Sequence, residues 1–452
     1  MVADWNEVKI GEAFIVNPLR RIFRGQVTPF IPMDAISGDS RTPDRIDERE
    51  FKGSGIKFKN GDTLIARITP CLENGKTIFV KDLPDGVIAH GSTEYIVLSG
   101  KPGCTDNLFA YYLARSPDFR RYAIGHMEGT SGRQRVPSIA IEKYTFRLPP
   151  VAEQCAIVHI LGTLDDKIEL NRQMNEILEE MASALFKSWF VDFDPVRAKV
   201  DGRWKRGQSL PTMPAHLFDL FPSELEDSEF GLIPKGWRVS KLGDCELGIE
   251  SGRRPKGGID KSLKSGIPSV GAESIQSPIG SFDYSNVKYV TPEFSNKSKK
   301  GWIQNFDVML YKDGGKPGQF KPRVTLYGES FPFEKAMINE HVFILRSPLL
   351  DQFYLYHLIS SDMVLDQLIA KGSSKAAQPG INQEEVKDTT FVQPSINLIE
   401  AFNELAKSLV MSQLNKGKEI NYLREIRDTF LPVLITGQIC IKHAEKFLET
   451  YI

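Results

Sequence analysis

The amino-acid sequence predicts the α/β (α+β) class: two pseudo-symmetric domains of mixed strands and helices, joined by two long helices that form an antiparallel coiled coil. Two observations predict it. The chain is written twice, at an offset of about 244 residues. Each copy is then followed by a long helical pattern of apolar residues. The repeat opens with Trp5–Ile10–Gly11 and again with Trp237–Leu242–Gly243. Asn60-Gly-Asp62 faces Asn305-Phe-Asp307, and Phe109-Ala-Tyr-Tyr112 faces Phe353-Tyr-Leu-Tyr356. Gly129-Thr-Ser131 faces Gly372-Ser-Ser374, and Phe146-Arg-Leu-Pro149 faces Phe391-Val-Gln-Pro394.

The boundaries that follow are 1–150 for the first domain, 151–195 for a central helix and 196–236 for a linker. The second domain takes 237–394, a C-terminal helix 395–436 and a tail 437–452. In the first domain Ile56–Phe58, Thr63–Arg67, Thr77–Val80 and Glu94–Leu98 are short β-prone runs bounded by Gly, Asn and Asp. Leu108–Arg121 has helical spacing and stops before the loop Gly125–Gly132.

After Leu148-Pro-Pro150 the pattern changes. Ile157, Leu161, Leu164, Ile168, Asn171, Asn175, Leu178, Ala182, Leu185 and Trp189 follow an unbroken 4-3-4-3 spacing. That predicts one helix of about 35–40 residues, roughly 50–60 Å long. In the C-terminal copy the seam runs through Leu398, Phe402, Leu405 and Leu409, then Leu423, Ile426, Phe430 and Val433. Its middle, Ser412, Lys416 and Glu419, reads as polar, as the first helix does at Asn171 and Asn175. Packed antiparallel, the two polar centres meet and fix the register; the alternative is two separate amphipathic core helices. Trp189, Phe190 and Phe193 are read as core packing at a domain junction, or else as a partner contact. The proline-rich, charged stretch from Arg197 to Lys235 reads as an ordered-to-flexible connector.

Five scattered cysteines without a CxxC pair exclude a zinc ribbon and a disulfide framework, and fit reduced thiols in a cytoplasmic protein. No apolar run approaches a membrane span, and the N-terminus lacks a signal layout. The net charge is only −1, but its distribution is uneven. Glu250 to Arg323 holds thirteen Lys/Arg against seven Asp/Glu, whereas 151 to 195 holds nine acids and three bases. Phosphate neutralisation needs local cations only, so basic globular segments beside an acidic helix point to two partners: duplex DNA and another protein. Asp165, Asp166 and Glu169 are either a solvated face or part of the protein contact. A duplicated domain also matches the approximate two-fold symmetry of duplex DNA.

Three strings in the central region carry a family resemblance: Leu148-Pro-Pro-Val-Ala-Glu-Gln154, Leu164-Asp-Asp-Lys-Ile-Glu-Leu-Asn-Arg172 and Leu185-Phe-Lys-Ser-Trp-Phe-Val-Asp-Phe-Asp-Pro195. Together with Phe221–Trp237 and the paired Ile31–Ile36 and Ile267–Ile275, the chain resembles the specificity (S) subunits of type I restriction–modification systems along essentially its whole length. The resemblance implies two target-recognition domains, each reading half of a bipartite duplex DNA site. It implies helices that set the spacing and dock two methyltransferase (M) subunits, with restriction (R) subunits in the full complex. S-adenosylmethionine, ATP and Mg belong to those partners, and none of them to this chain.

No enzyme signature survives inspection. The sole Pro-Pro pair, Pro149-Pro150, lies between Leu148 and Val151 rather than in an amino-methyltransferase loop. Pro43-Asp44 with Glu50-Phe-Lys52 imitates a metal-dependent nuclease site in a stretch rich in charges generally. Gly75-Lys76-Thr77 follows Pro70 where a phosphate-binding loop needs Gly, and a β-like run comes next instead of a helix. The seven histidines lack ligand spacing, so no metal is expected. Base reading calls for forked donors or amides on loops. Arg133, Gln134 and Arg135 supply them in a Gly-flanked loop whose repeat partner offers Lys375 and Gln378. Lys312, Lys316, Gln319 and Lys321 form a second basic Gly-rich loop, matching the segment from Arg67 to Lys76; these are expected to hold phosphates. Arg253, Arg254 and Lys256 are a third cluster. The alternative to a DNA-specificity subunit is a non-catalytic scaffold whose DNA specificity is lost.

Overall fold

The computed structural model describes residues 5–130, 132–260, 262–263, 265–282, 287–315, 320–375, 379–439, 441–442, 444 and 446. Two compact units are present, residues 1–169 with 422–452 and residues 170–421. The divisions fall inside two helices of 40 residues each, Val151–Phe190 and Ile396–Ile435, so each unit owns part of both.

The first unit contains β1 (Asn6–Lys9), β2 (Phe14–Val16), β3 (Val27–Ile31), β4 (Asp47–Glu50), β5 (Ile56–Phe58), β6 (Thr63–Ala66), β7 (Thr77–Phe79), β8 (Ala89–Gly91), β9 (Tyr95–Gly100) and β10 (Thr145–Leu148). They form two four-stranded sheets, ordered β2-β9-β6-β7 and β4-β3-β8-β5, and an antiparallel β1-β10 pair. Every residue of β6 is buried, since Leu64 faces the core of Phe58, Ile78 and Val97 while the other face lies under a helix. The expected Leu108–Arg121 helix is two helices, Asn107–Arg115 and Pro117–Gly125. Pro117 forces Ser116 into extended backbone (ψ 142°), and the Ser116 hydroxyl then caps the second helix at Phe119 N.

The second unit repeats the plan. It contains β11 (Leu225–Ser228), β12 (Gly231–Pro234), β13 (Arg238–Lys241), β14 (Gly248–Ser251), β15 (Ile267–Val270), β16 (Lys288–Val290), β17 (Val308–Tyr311), β18 (Val324–Leu326), β19 (Met337–Ile338), β20 (Val342–Arg346) and β21 (Thr390–Gln393). The sheet β14-β20-β17-β18 is the counterpart of β2-β9-β6-β7, and β13-β21 that of β1-β10. The repeated Asp62 and Asp307 keep one job with different cations. Each accepts a backbone N–H at 2.7 Å in the turn before its strand, from Lys59 and from Gln304. Arg20, from the loop after β2, pairs with Asp62, whereas Arg346, at the end of β20, pairs with Asp307.

The connector is packed rather than loose. It holds the helix Asp194–Val200, a 3-10 turn Ala215–Leu220 and the β11-β12 hairpin. Trp204 is buried against Phe218 and Phe221, and Trp189 Nε1 donates to Thr212 O at 2.7 Å. Phe190 packs tilted and Phe193 edge-on against Trp237, so these aromatics are core. Truncating a buried side chain of this size costs about 3–5 kcal/mol.

The two long helices pair in antiparallel sense. In the second unit Lys416 Nζ donates to Asn171 Oδ1 (3.4 Å) and Gln413 Nε2 donates to Asn175 O (3.2 Å) and Glu179 (2.9 Å). The expected polar centre of the C-terminal helix needs correction. Val410, Gln413, Leu414, Gly417 and Ile420 are the buried positions there; Ser412, Lys416 and Glu419 are only half-buried. The seam is displaced because domain loops lie on this stretch as well as the partner helix. A Cβ on Gly417 would stand 2.7 Å from Gly280 Cα and from Ser330 Cβ, so glycine is what permits the approach. In the first unit, buried Asp165 receives Tyr112 Oη and Arg427 Nη1, both at 2.8 Å. Arg41 pairs with Asp166, so Asp165 and Asp166 are both engaged within the unit.

Candidate nucleic-acid interface

In the first unit the chain leaving β6 is clamped to the loop that follows the helix Pro117–Gly125. Arg67 N–H donates to Glu94 O (2.9 Å), Val136 N–H to Arg67 O (2.9 Å) and Thr69 N–H to Gln134 O (3.0 Å). Ile68 and Glu128 each form an antiparallel bridge with Arg135. The loop turns at Gly129 (φ +119°), where a Cβ would stand 3.2 Å from Arg133 O. Arg67, Gln134 and Arg135 are thereby gathered on one backbone frame, with Arg133 exposed at its tip. The Glu94 carboxylate holds the Arg135 guanidinium from one side at 2.7 Å and raises its already high pKa. Lys76 is turned elsewhere, donating to Met33 O at 2.9 Å.

The second unit builds the same frame. Lys312 N–H donates to His341 O (3.0 Å), Ile381 N–H to Lys312 O (2.7 Å), and Asp313 bridges Gly380. Lys312 therefore stands where Arg67 stands, His341 where Glu94 does, and Gly380 where Arg135 does. Acids thread its basic clusters together. Lys312 Nζ (2.9 Å) and His341 Nδ1 (2.6 Å) meet Asp313, His341 Nε2 lies 3.5 Å from Glu340, and Arg254 3.4 Å from Glu340. Lys375 is drawn to Glu385 (2.6 Å) and Gly380 O (2.8 Å). Arg253, Lys256 and Lys321 are exposed; Lys316, Gln319 and Gln378 lie outside the described residues.

Several features escaped sequence reading. Glu94, Glu340, Asp313 and His341 orient the cations but carry no motif of their own. The loop after β2 is the repeat counterpart of the loop after β14, and each is basic; Arg20 is taken up by Asp62, while Arg21 and Arg24 are exposed. Extending the repeat alignment would have found this loop. Next to them Leu19 and Phe23 are exposed. On the central helix, within the second unit, Leu170, Met174, Ile177 and Met181 are 52%, 37%, 55% and 53% exposed. Their 4-3-4 spacing makes one apolar stripe on the flank of the buried seam, about 100° round the helix from it. The C-terminal helix exposes only Ile396 and Tyr422 among its described large apolar residues. Among the described residues, no cluster of His, Cys, Asp and Glu is arranged to hold a metal, and no helix is long and apolar enough to cross a membrane.

The chain builds one backbone frame twice, and sequence comparison shows what it is similar to. Residues 3–180 match the family model described as the type I restriction modification DNA specificity domain. The chain is 26% identical to the type I restriction enzyme HindI specificity subunit of Haemophilus influenzae, over 97% of this chain and 100% of that one. It is 25% identical to the MjaIX specificity subunit of Methanocaldococcus jannaschii, over 74% of this chain and 69% of that one. The crystal structure of a type I restriction-modification S subunit from M. genitalium superposes with a TM-score of 0.48 at 15% identity, covering 95% of this chain and 96% of that one. By sequence the chain is similar to type I restriction–modification specificity subunits over nearly its whole length.

Proposed function

We propose that this chain is the non-catalytic DNA-specificity subunit of a cytoplasmic type I complex, in which residues 1–150 and 237–394 each read half of a bipartite duplex site. The observation that carries this reading is the doubled frame with unequal side chains: Arg67, Glu94 and Arg135 in one copy, Lys312, His341 and Gly380 in the other. Equal frames with different donors suit two half-sites of different sequence. Arg67, Arg133, Gln134 and Arg135 serve the first half-site, without Lys76, whose ammonium is held by Met33 O. Arg253, Arg254, Lys256, Lys312, Lys316, Gln319, Lys321, Lys375 and Gln378 serve the second. Exposed members with no carboxylate neighbour position phosphates, as Arg133 and Lys321 do. The helices set the spacing between half-sites, and the Leu170–Met181 stripe docks an M subunit, with R subunits joining the full complex. S-adenosylmethionine, ATP and Mg act on those partners.

The test is co-expression with the cognate M subunit, exposure to a random DNA library with S-adenosylmethionine, and sequencing of methylated adenines. A split motif that requires both proteins supports the reading. Unmethylated DNA, with the M subunit active beside another S subunit, leaves the chain a scaffold.

A further inference from the structure

Arg135 carries five N–H donors in a planar fork, and the structure accounts for three of them. Nε meets both Glu94 carboxylate oxygens (3.1 and 2.9 Å), Nη2 donates to Glu94 Oε1 (2.7 Å), and Nη1 donates to Arg133 O (3.2 Å). One N–H remains on each terminal nitrogen. A guanidinium gripped through Nε and Nη2 can still present its terminal edge, and that edge matches O6 and N7 of guanine in the major groove. Glu94 holds the fork at its Nε–Nη2 side, and the side chain as a whole stays 42% exposed. Its backbone is fixed as well, through the bridges to Ile68 and Glu128.

We infer that Arg135 reads a guanine in the half-site of the first domain, with Glu94 as the positioning residue that holds the guanidinium end-on. The inference rests on the DNA-specificity reading above and names the base it leaves open. A guanidinium free to rotate would contact phosphate as readily as base; the carboxylate against Nε and Nη2 removes that freedom before DNA arrives. The second domain cannot repeat the device. Gly380 occupies the equivalent position at φ +154°, and a Cβ there would stand 2.6 Å from Asp313 Cβ. No guanine is read from that position of the second half-site.

The experiment uses the complex of this chain with its M subunits, comparing wild type, Arg135→Lys, Arg135→Ala and Glu94→Gln by methylated-site sequencing and by binding at several salt concentrations. Arg135→Lys keeps the charge and loses the fork. It is expected to relax one G·C position of the first half-site by roughly 5- to 150-fold, with the second half-site and the salt slope unchanged. Glu94→Gln relaxes the same position by less. Replacing that guanine by 7-deazaguanine, which lacks the N7 acceptor, weakens the wild type more than Arg135→Lys, and leaves Arg135→Ala unaffected. A first half-site without G·C, or discrimination untouched by Arg135→Lys, overturns the inference and spares the DNA-specificity reading. A uniform loss across all sequences overturns it too, by making Arg135 a phosphate contact. Absence of any split motif from the wild-type complex overturns both.

Discussion

Replacing Asp165 by alanine tests the polar clamp between the helices in the first unit. Asp165 is 5% exposed and accepts from Tyr112 Oη and Arg427 Nη1, while Arg427 is 3% exposed. Burial alone pushes the Arg427 pKa down, but the Asp165 and Asp428 carboxylates outweigh it, and the net shift is upward. Without Asp165 the guanidinium keeps one carboxylate, exposed Asp428 at 2.8 Å, and the phenol loses its acceptor. Breaking a buried pair by removing one partner costs about 3–5 kcal/mol. Asp428 offsets part of that loss, which places Asp165→Ala near 3 kcal/mol, read as a fall in the urea midpoint of the first unit's transition. The double variant Asp165→Leu/Arg427→Met removes both charges, and the pair's desolvation cost with them, so it should recover most of the loss. A single variant within about 0.5 kcal/mol of wild type, or a double variant less stable than the single, refutes the clamp.

Three further outcomes follow from the second unit. Asn175 is buried with neither side-chain polar atom bonded, so Asn175→Leu should raise the urea midpoint by about 1–2 kcal/mol, and a fall counts against this account of the seam. His357 packs against Phe186, Tyr356 and Phe402 with both ring nitrogens unpartnered, and burial pushes its pKa down to about 3. The folded state therefore holds it neutral while the unfolded chain protonates below pH ~6.5. Stability is full above that value and falls as pH drops towards 3, by about 1.4 kcal/mol at pH 5.5. His357→Phe should lose about that much less between pH 7 and 5.5, and an unchanged pH slope would refute the assignment. Ile177→Asp places a charge on the exposed stripe, and should abolish M-subunit assembly in size-exclusion chromatography without moving the urea midpoint.

The repeat and the helices were legible because they rest on periodicity, which backbone geometry imposes directly. Asn171 and Asn175 were readable as the polar centre of the first helix by their place in the heptad run. The second helix misled because burial there has two sources. Domain loops at Gly280 and Ser330 cover Gly417, and a contact from so distant a segment leaves no periodic trace. The connector misled for a related reason. Its prolines and charges suggested a connector passing from ordered to flexible, while Trp204 and Trp189 fix it through partners many residues away. At the candidate interface the basic residues stood out by composition, but the acids that orient them did not. Glu94 looks like any strand-flanking glutamate until β6 and β9 bring it beside Arg135.

The first unit is assembled from two remote stretches, 1–169 and 422–452. On the ribosome, Asp165 and Tyr112 emerge long before Arg427. At ~5–20 residues per second the interval is on the order of 10–50 s. The intervening chain, 170–421, can complete its own unit during that wait. The first domain is thus committed last although it is made first, and any premature stop before Tyr422 strands a buried aspartate with no cation to meet it.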